Sequence, residues 1–306
     1  MIPFIHLKFI LETEISIYPY FPEALIRGGF GHELKRIVCI NKRAECRDCF
    51  LSKSCVFAIL FVNNASIENN EFKNINKAPR PYSFYVKNDG KRSKIVNFDM
   101  ILFRDAFNYI QQIVWTFFRM GENGFGKERI GYIIRDIIDL SSDKSIYEDK
   151  VRSLKNAQVV NFNYNFNEIN GKRKNFSIDI ASPTRIHQNN KFNYELSFKD
   201  IIKYSLIRGG LLTELYGEKS EEVNPAEILN LAESVETVKT NINWSKRQRY
   251  SETQEKKVSM GGVTGNIEYY GEIDPFKAIL KIPEIFGIGK NTTFGRGRMK
   301  LVENGG

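Results

Sequence analysis

The chain carries three histidines and four cysteines, and the residues around each decide what chemistry it could do. His32 lies in the run IRGGFGHELKRIVC. On a helix it falls two positions from both Phe30 and Leu34, about 200° around from the apolar stripe, so it should face solvent. Lys35 and Arg36 follow at i+3 and i+4 on the same side. An imidazole transfers protons near neutral pH, and adjacent cations stabilise the negative charge of a pentavalent phosphorane. Gly28 and Gly29, one turn earlier, leave room for a substrate backbone. The plainer alternative is an exposed helical histidine with no role. His6 reads as a packed or strand-edge residue, and His187, beside a polar QNNK turn, as a surface one.

The cysteines, Cys39, Cys46, Cys49 and Cys55, are spaced C-x6-C-x2-C-x5-C. In a reducing compartment this spacing does not read as a disulfide framework. Four thiolates with one CxxC pair could close a tetrahedral structural zinc site, with Arg43, Arg47 and Lys53 offsetting the charge. The competing reading is four reduced, partly buried thiols, because free cysteine packs as a small hydrophobe, and Cys39 and Cys55 border apolar stretches that could place them in the core. The tight spacings usual for an iron–sulfur cluster are absent.

Basic residues are gathered in places. From Ile285 to Val302 the chain has Lys290, Arg296, Arg298 and Lys300 with Gly287, Gly289, Gly295 and Gly297, and no acid. Glycines let backbone amides approach a phosphate, and arginines add charge and bidentate contacts. This is not a nucleotide-hydrolysing P-loop, because Glu284 and Asn291 stand where that pattern needs Gly and Ser/Thr. A second cluster, NWSKRQRY, interleaves Trp244 and Tyr250 with Lys246, Arg247 and Arg249, as suits a hairpin that grips phosphates and stacks on bases. A third is Lys87, Lys91, Arg92 and Lys94. For each cluster the alternative is a solvated turn.

The elements that must hold these residues follow from periodicity. Ile5 to Ile17 alternates as a strand, with Phe9, Leu11 and Ile15 set against Lys8, Glu12 and Glu14. A helix from Glu23 to Cys39 carries Ile26, Phe30, Leu34, Ile37 and Val38 as its stripe. A strand pair over Tyr82–Val86 and Ile95–Phe103, a helix over Arg104–Met120 and a strand over Arg129–Leu140 complete a β-α-β-β-α-β unit. A polar stretch, Ser141 to Ser153, reads as a linker. The second half repeats the order: strand material at Val159–Asn165 and Phe176–Ile186, a helix at Phe198–Tyr216, long strands with a basic tip over Val235–Gly271, a helix at Pro275–Ile285 and a strand at Arg296–Val302. The fold expected is α+β, two tandem ferredoxin-like (RRM-like) βαββαβ domains, at 1–150 with the cysteine insertion and 151–306 with the glycine-rich loop.

The chain has 306 residues, a net charge of +9 and 26% charged residues. That balance excludes whole-chain disorder and makes polyanions plausible partners. The longest apolar run, Val56 to Val62, is too short to span a bilayer. The N-terminus lacks a secretory cleavage pattern, so a cytoplasmic protein with no membrane partner is expected.

Taken in order, IRGGFGHELKRIVC, the C-x2-C-x5-C run into VFAILF, APRPYSFYV, FFRMGENGFGKERIGYII, IASPTRI, VSMGGVTGNIEYYG and GIGKNTTFGRGRM resemble the CRISPR-associated RAMP proteins that process precursor CRISPR RNA. The likeness covers nearly the whole chain. It implies RAMP architecture and a metal-independent endoribonuclease that cuts repeat RNA and leaves a 5′-hydroxyl and a 2′,3′-cyclic phosphate. No cofactor is implied for catalysis. His32 matches the family's histidine in or just after the first helix, with Lys35, less so Arg36, as charge stabiliser and Tyr20 as orienter. The departure is that no second histidine lies nearby in the sequence. The partner implied is CRISPR repeat RNA, with other effector subunits as further partners, and the protein a monomer or homodimer. A non-catalytic RAMP subunit that holds guide RNA is the first alternative. A zinc-stabilised nucleic-acid binder outside CRISPR systems is the second.

Overall fold

The computed structural model describes residues 1–17, 22–62, 78–86, 92–149, 151–166, 171–188, 191–193, 195–218, 224–246, 248–251 and 256–303. The chain divides into two compact units. One comprises Ile2–Phe162 with Leu215–Gly217, and the other Met1, Asn163–Glu214 and Glu218–Gly306.

The first unit opens with strand β1 (Ile2–Ile17), then helix α1 (Pro22–Val38), a π-helical turn at Ala58–Val62, strands β2 (Tyr82–Tyr85) and β3 (Ser93–Phe103), helices α2 (Arg104–Phe107) and α3 (Ile110–Asn123), and strand β4 (Tyr132–Asp139). Its sheet runs β2-β3-β1-β4 and continues into the short β5 (Lys144–Ser145). That is the ferredoxin-like strand order expected from the β-α-β-β-α-β reading. Alternation on β1 buries Leu7, Phe9 and Leu11 completely. Phe9 stacks on Phe98 of β3 at 4.8 Å, and Phe30 of α1 stacks on Phe117 of α3 at 4.9 Å. Each such buried ring contributes about 1.5–3 kcal/mol.

Local departures from the periodic reading have physical causes. Ile15 is 53% exposed, because the β1–β3 register shifts between Glu12 and Ile17 and the alternation there no longer points to the core. The expected helix over Arg104–Met120 is two helices, interrupted at Asn108–Tyr109. The expected linker contains β5 and the small pair β6 (Tyr147–Glu148) and β7 (Ser153–Leu154). The strand at Val159–Asn165, expected to open the second repeat, is β8 (Val160–Phe162) and pairs antiparallel with Ile2–Phe4 at the start of β1.

The second unit repeats the topology. Strand β9 (Lys174–Thr184) leads through the hairpin β10 (Ile186–Gln188)/β11 (Lys191–Asn193) to helix α4 (Phe198–Tyr216) and helix α5 (Pro225–Glu233). Strand β12 (Glu236–Ser245), the pair β13 (Gln248–Ser251)/β14 (Lys256–Ser259), strand β15 (Gly262–Gly271), helix α6 (Lys277–Phe286) and strand β16 (Lys300–Glu303) follow. The sheet order, β12-β15-β9-β16, is again ferredoxin-like. The last strand starts at Lys300 and not Arg296, because residues before it are taken up by the glycine-rich loop. Among the described residues no helix is long and apolar enough to cross a membrane.

Candidate active site and nucleic-acid interface

Helix α1 opens with Pro22 and Glu23 and closes with Lys35 and Arg36, an order that complements its dipole. Ile26, Phe30 and Leu34 are buried against the sheet. The glycines on the helix serve packing first. A Cβ on Gly29 would lie 2.8 Å from Met120 Sδ, and one on Gly31 would lie 2.5 Å from Phe61 Cε1. Gly28 differs, being exposed with nothing within 4 Å of where its Cβ would be.

His32 is exposed, on the side of α1 away from the core. Lys35, also exposed, holds its Nζ 5.6 Å from the Phe57 ring centroid and has no carboxylate partner among the described residues. Arg36 is committed elsewhere. It donates from Nε and NH2 to the two oxygens of Glu33, at 3.0 and 2.6 Å, and Glu33 is buried. These hydrogen bonds and the carboxylate charge raise the Arg36 pKa above its ordinary value. Asn123 of α3 donates to Glu33 at 3.1 Å, tying α1 to α3. Burial, reinforced by the Glu33 charge, pushes the Tyr132 hydroxyl well above its ordinary range, so it stays a neutral donor to Phe117 O at 2.6 Å. Among the described residues, His32 and Lys35 are therefore the exposed pair on this helix without a carboxylate partner. Glu33 and Asn123 were not singled out from the sequence, although a lone acid inside HELKR is the signal. Tyr20 lies outside the described residues.

The glycine-rich loop differs from an open phosphate cradle. Arg296 and Arg298 are only 4% and 8% exposed. Arg298 donates from NH1 to Glu284 O at 2.7 Å, at the C-terminal end of α6, where a cation meets unpaired carbonyls. Several loop amides are already used: Ile288 N–H donates to Gly297 O, Lys290 N–H to Arg185 O and Gly297 N–H to Pro183 O. Gly297 has φ +80°, and a Cβ there would sit on Ile288 O. Gly287, Gly289 and Gly295 also have positive φ. These glycines let two stretches of backbone cross closely. Gly289 and Lys290 are the exposed part of the loop, while Gly287, Gly295 and Gly297 are buried. Arg296 and Arg298, expected as exposed phosphate contacts, are therefore interior residues in this structure, and Arg298 is held on the Glu284 carbonyl.

In the basic hairpin, Trp244 is half-buried near the end of β12 and Lys246 is exposed. Arg247 lies outside the described residues. Arg249 and Tyr250 stand on β13, where Tyr250 pairs with Lys257 and Ser251 with Lys256 of β14. Lys256 and Lys257 thus join the cluster, and the return run EKK was their sequence signal. In the third basic patch Arg92 and Lys94 are exposed, whereas Lys87 and Lys91 lie outside the described residues.

All four cysteines line one small pocket at the C-terminal end of α1, together with Asn41, Ala44, Ser52, Phe57 and Ala58. All four are free thiols.

Two ferredoxin-like units in tandem, the second with a glycine-rich loop after its last helix, define a protein of RAMP architecture. Residues 2–159 match the AF_1859_N family, described as an N-terminal domain, and residues 178–299 match the family of the CRISPR-associated endoribonuclease Cas6. The first match spans just over half of the chain, which therefore belongs to the AF_1859_N family, and its second half is similar to Cas6. A protein of Archaeoglobus fulgidus described only as uncharacterized is 24% identical over 302 residues, covering 94% of this chain and 97% of that one. Among solved structures, a Cas6 product complex aligns with a TM-score of 0.56 at 12% identity, over 98% of this chain and 99% of the other. Thermus thermophilus Cas6 aligns with 0.54 at 12% identity, over 98% of each. At that identity the structural likeness speaks for the fold alone.

Proposed function

We propose that the chain is an endoribonuclease that cleaves precursor CRISPR RNA within its repeats. Cleavage proceeds by metal-independent attack of a ribose 2′-OH on the adjacent phosphorus, leaving a 2′,3′-cyclic phosphate and a 5′-OH. The reading is supported by the family match over residues 178–299. The observation that carries it is the exposed His32 on α1 beside Lys35, a cation with no acid to neutralise it among the described residues. The steps follow from that pair. His32 removes the 2′-OH proton, and the oxygen attacks phosphorus. The Lys35 ammonium stabilises the charge of the phosphorane, and the leaving 5′-oxygen takes a proton from Lys35 or from solvent. Open backbone at Gly28, one turn before His32, gives the RNA room to approach. Arg36, held by Glu33, has the smaller part. Lys246, Arg249, Lys290 and the hairpin lysines supply phosphate contacts that position the RNA.

A non-catalytic RAMP subunit is the second reading, favoured by the lack of another histidine in the stretch around His32. Incubation of the pure protein with its cognate repeat RNA in EDTA separates the two. Cleavage at one phosphate within the repeat is expected. Binding of the repeat with no cleavage, in EDTA or in magnesium, would make the protein a guide-RNA holder.

A further inference from the structure

The cysteine pocket stands outside the chemistry proposed for His32, and it lies in an unusual segment. From Cys39 to Cys55 no residue is buried, Ile40 is 80% exposed and Phe50 is 79% exposed. The segment is held by short turns: Asp48 N–H donates to Glu45 O, Ser52 N–H to Cys49 O and Cys55 N–H to Leu51 O. In small folds that lack a sufficient core, a disulfide or a metal commonly supplies the staple.

The four cysteines are the chain's entire complement. All four are free, and none is fully buried. All are half-buried around a single pocket. Carboxylates do not share the pocket lining, and the charged residues flanking the cysteines include exposed Lys42, Arg43, Arg47 and Lys53.

We propose that Cys39, Cys46, Cys49 and Cys55 bind one structural zinc ion through four thiolates. As free thiols they surround the pocket without forming a group that could hold a metal ion. In the proposed bound state the four sulfurs turn inward from these positions, within a segment that has no buried residue. Binding releases the four thiol protons to solvent and leaves a site of charge −2, which the neighbouring cations offset. No oxidation is involved. The closed site pins the end of α1, through Cys39, to the start of the run Val56–Val62, through Cys55. Phe61 of that run packs against Gly31. The role is structural, and the proposal does not rest on the reading of His32 as catalytic.

The test uses the full-length chain, produced in zinc-supplemented medium and purified with reductant but without chelator. Elemental analysis is expected to give about one zinc per chain, released when a mercurial titrates the thiols. Replacement by Co(II) should give the intense visible bands of a tetrahedral tetrathiolate site. The variant Cys46→Ser/Cys49→Ser should lose the metal. Only trace zinc, with four thiols that react at once with a thiol reagent in the native protein, would overturn the proposal even if the variant failed to fold. So would iron with acid-labile sulfide in place of zinc, or full zinc retention by the variant.

Discussion

Replacing His32 by alanine should lower the rate of repeat cleavage at saturating RNA by about 10²–10⁴-fold, the usual worth of one acid/base group. Affinity for the repeat should change little, because the phosphate contacts lie elsewhere. Stability should move by no more than about 0.5 kcal/mol, since the side chain is exposed and alanine suits a helix. Single-turnover kinetics with a parallel binding assay checks all three. A variant that cuts as fast as the wild type would remove His32 from the mechanism and leave the proton transfer to another group. Lys35→Ala is the companion change and should also lower the rate without weakening the fold. Arg36→Ala is a poorer probe, because it takes away the partner of the buried Glu33 carboxylate.

Replacing Gly297 by alanine should cost roughly 3 kcal/mol or more of stability, and more than any other single glycine change in the loop. Two effects add. A left-handed backbone carries a penalty of about 1–2 kcal/mol for a residue with a Cβ. In addition, the new methyl would collide with Ile288 O, so the crossing strands of the loop must separate. The second unit should melt several degrees earlier, and RNA binding should fall with it because the loop is displaced. Gly28→Ala is the contrasting control. Its Cβ meets nothing within 4 Å, and alanine in a helix interior is worth about 0.5–1 kcal/mol over glycine. Thermal melts of the two variants should shift in opposite directions. A Gly297→Ala protein as stable as the wild type would mean the loop does not cross as described.

Much of this architecture was legible in the sequence because it is written in local periodicity. Helix α4 ends where its apolar spacing ends, and the strand order of the first unit follows from the element order and the ferredoxin-like rule. What escaped depends on partners distant in the chain. Nothing in Val160–Phe162 announces that it pairs with Ile2–Phe4. Helix α5 was missed although its signal was present: Asn224 caps it by accepting from Ala226 N–H, and Pro225 opens it.

The candidate site divides in the same way. The exposure of His32 follows from helical geometry alone, and so does its nearness to Lys35. That Arg36 is spoken for by Glu33 follows only once Glu33 is known to face α3 and Asn123. The arginines of the glycine-rich loop read as surface charge because arginine usually is. Both are buried, and Arg298 is held by the Glu284 carbonyl near the end of α6, which a one-dimensional pattern does not display. For the cysteines, spacing suggested a ligand set, and the structure gathers all four around one pocket.

The measurement that bears most directly on the central claim is cleavage of a repeat RNA carrying one 2′-deoxy nucleotide immediately 5′ of the scissile phosphate, with EDTA present. The all-ribose repeat should be cut at that phosphate to a 2′,3′-cyclic phosphate and a 5′-OH. The deoxy repeat should bind with the same affinity and remain intact there. Cleavage of the deoxy repeat at the same phosphate would contradict attack by the 2′-OH and, with it, the role assigned to His32.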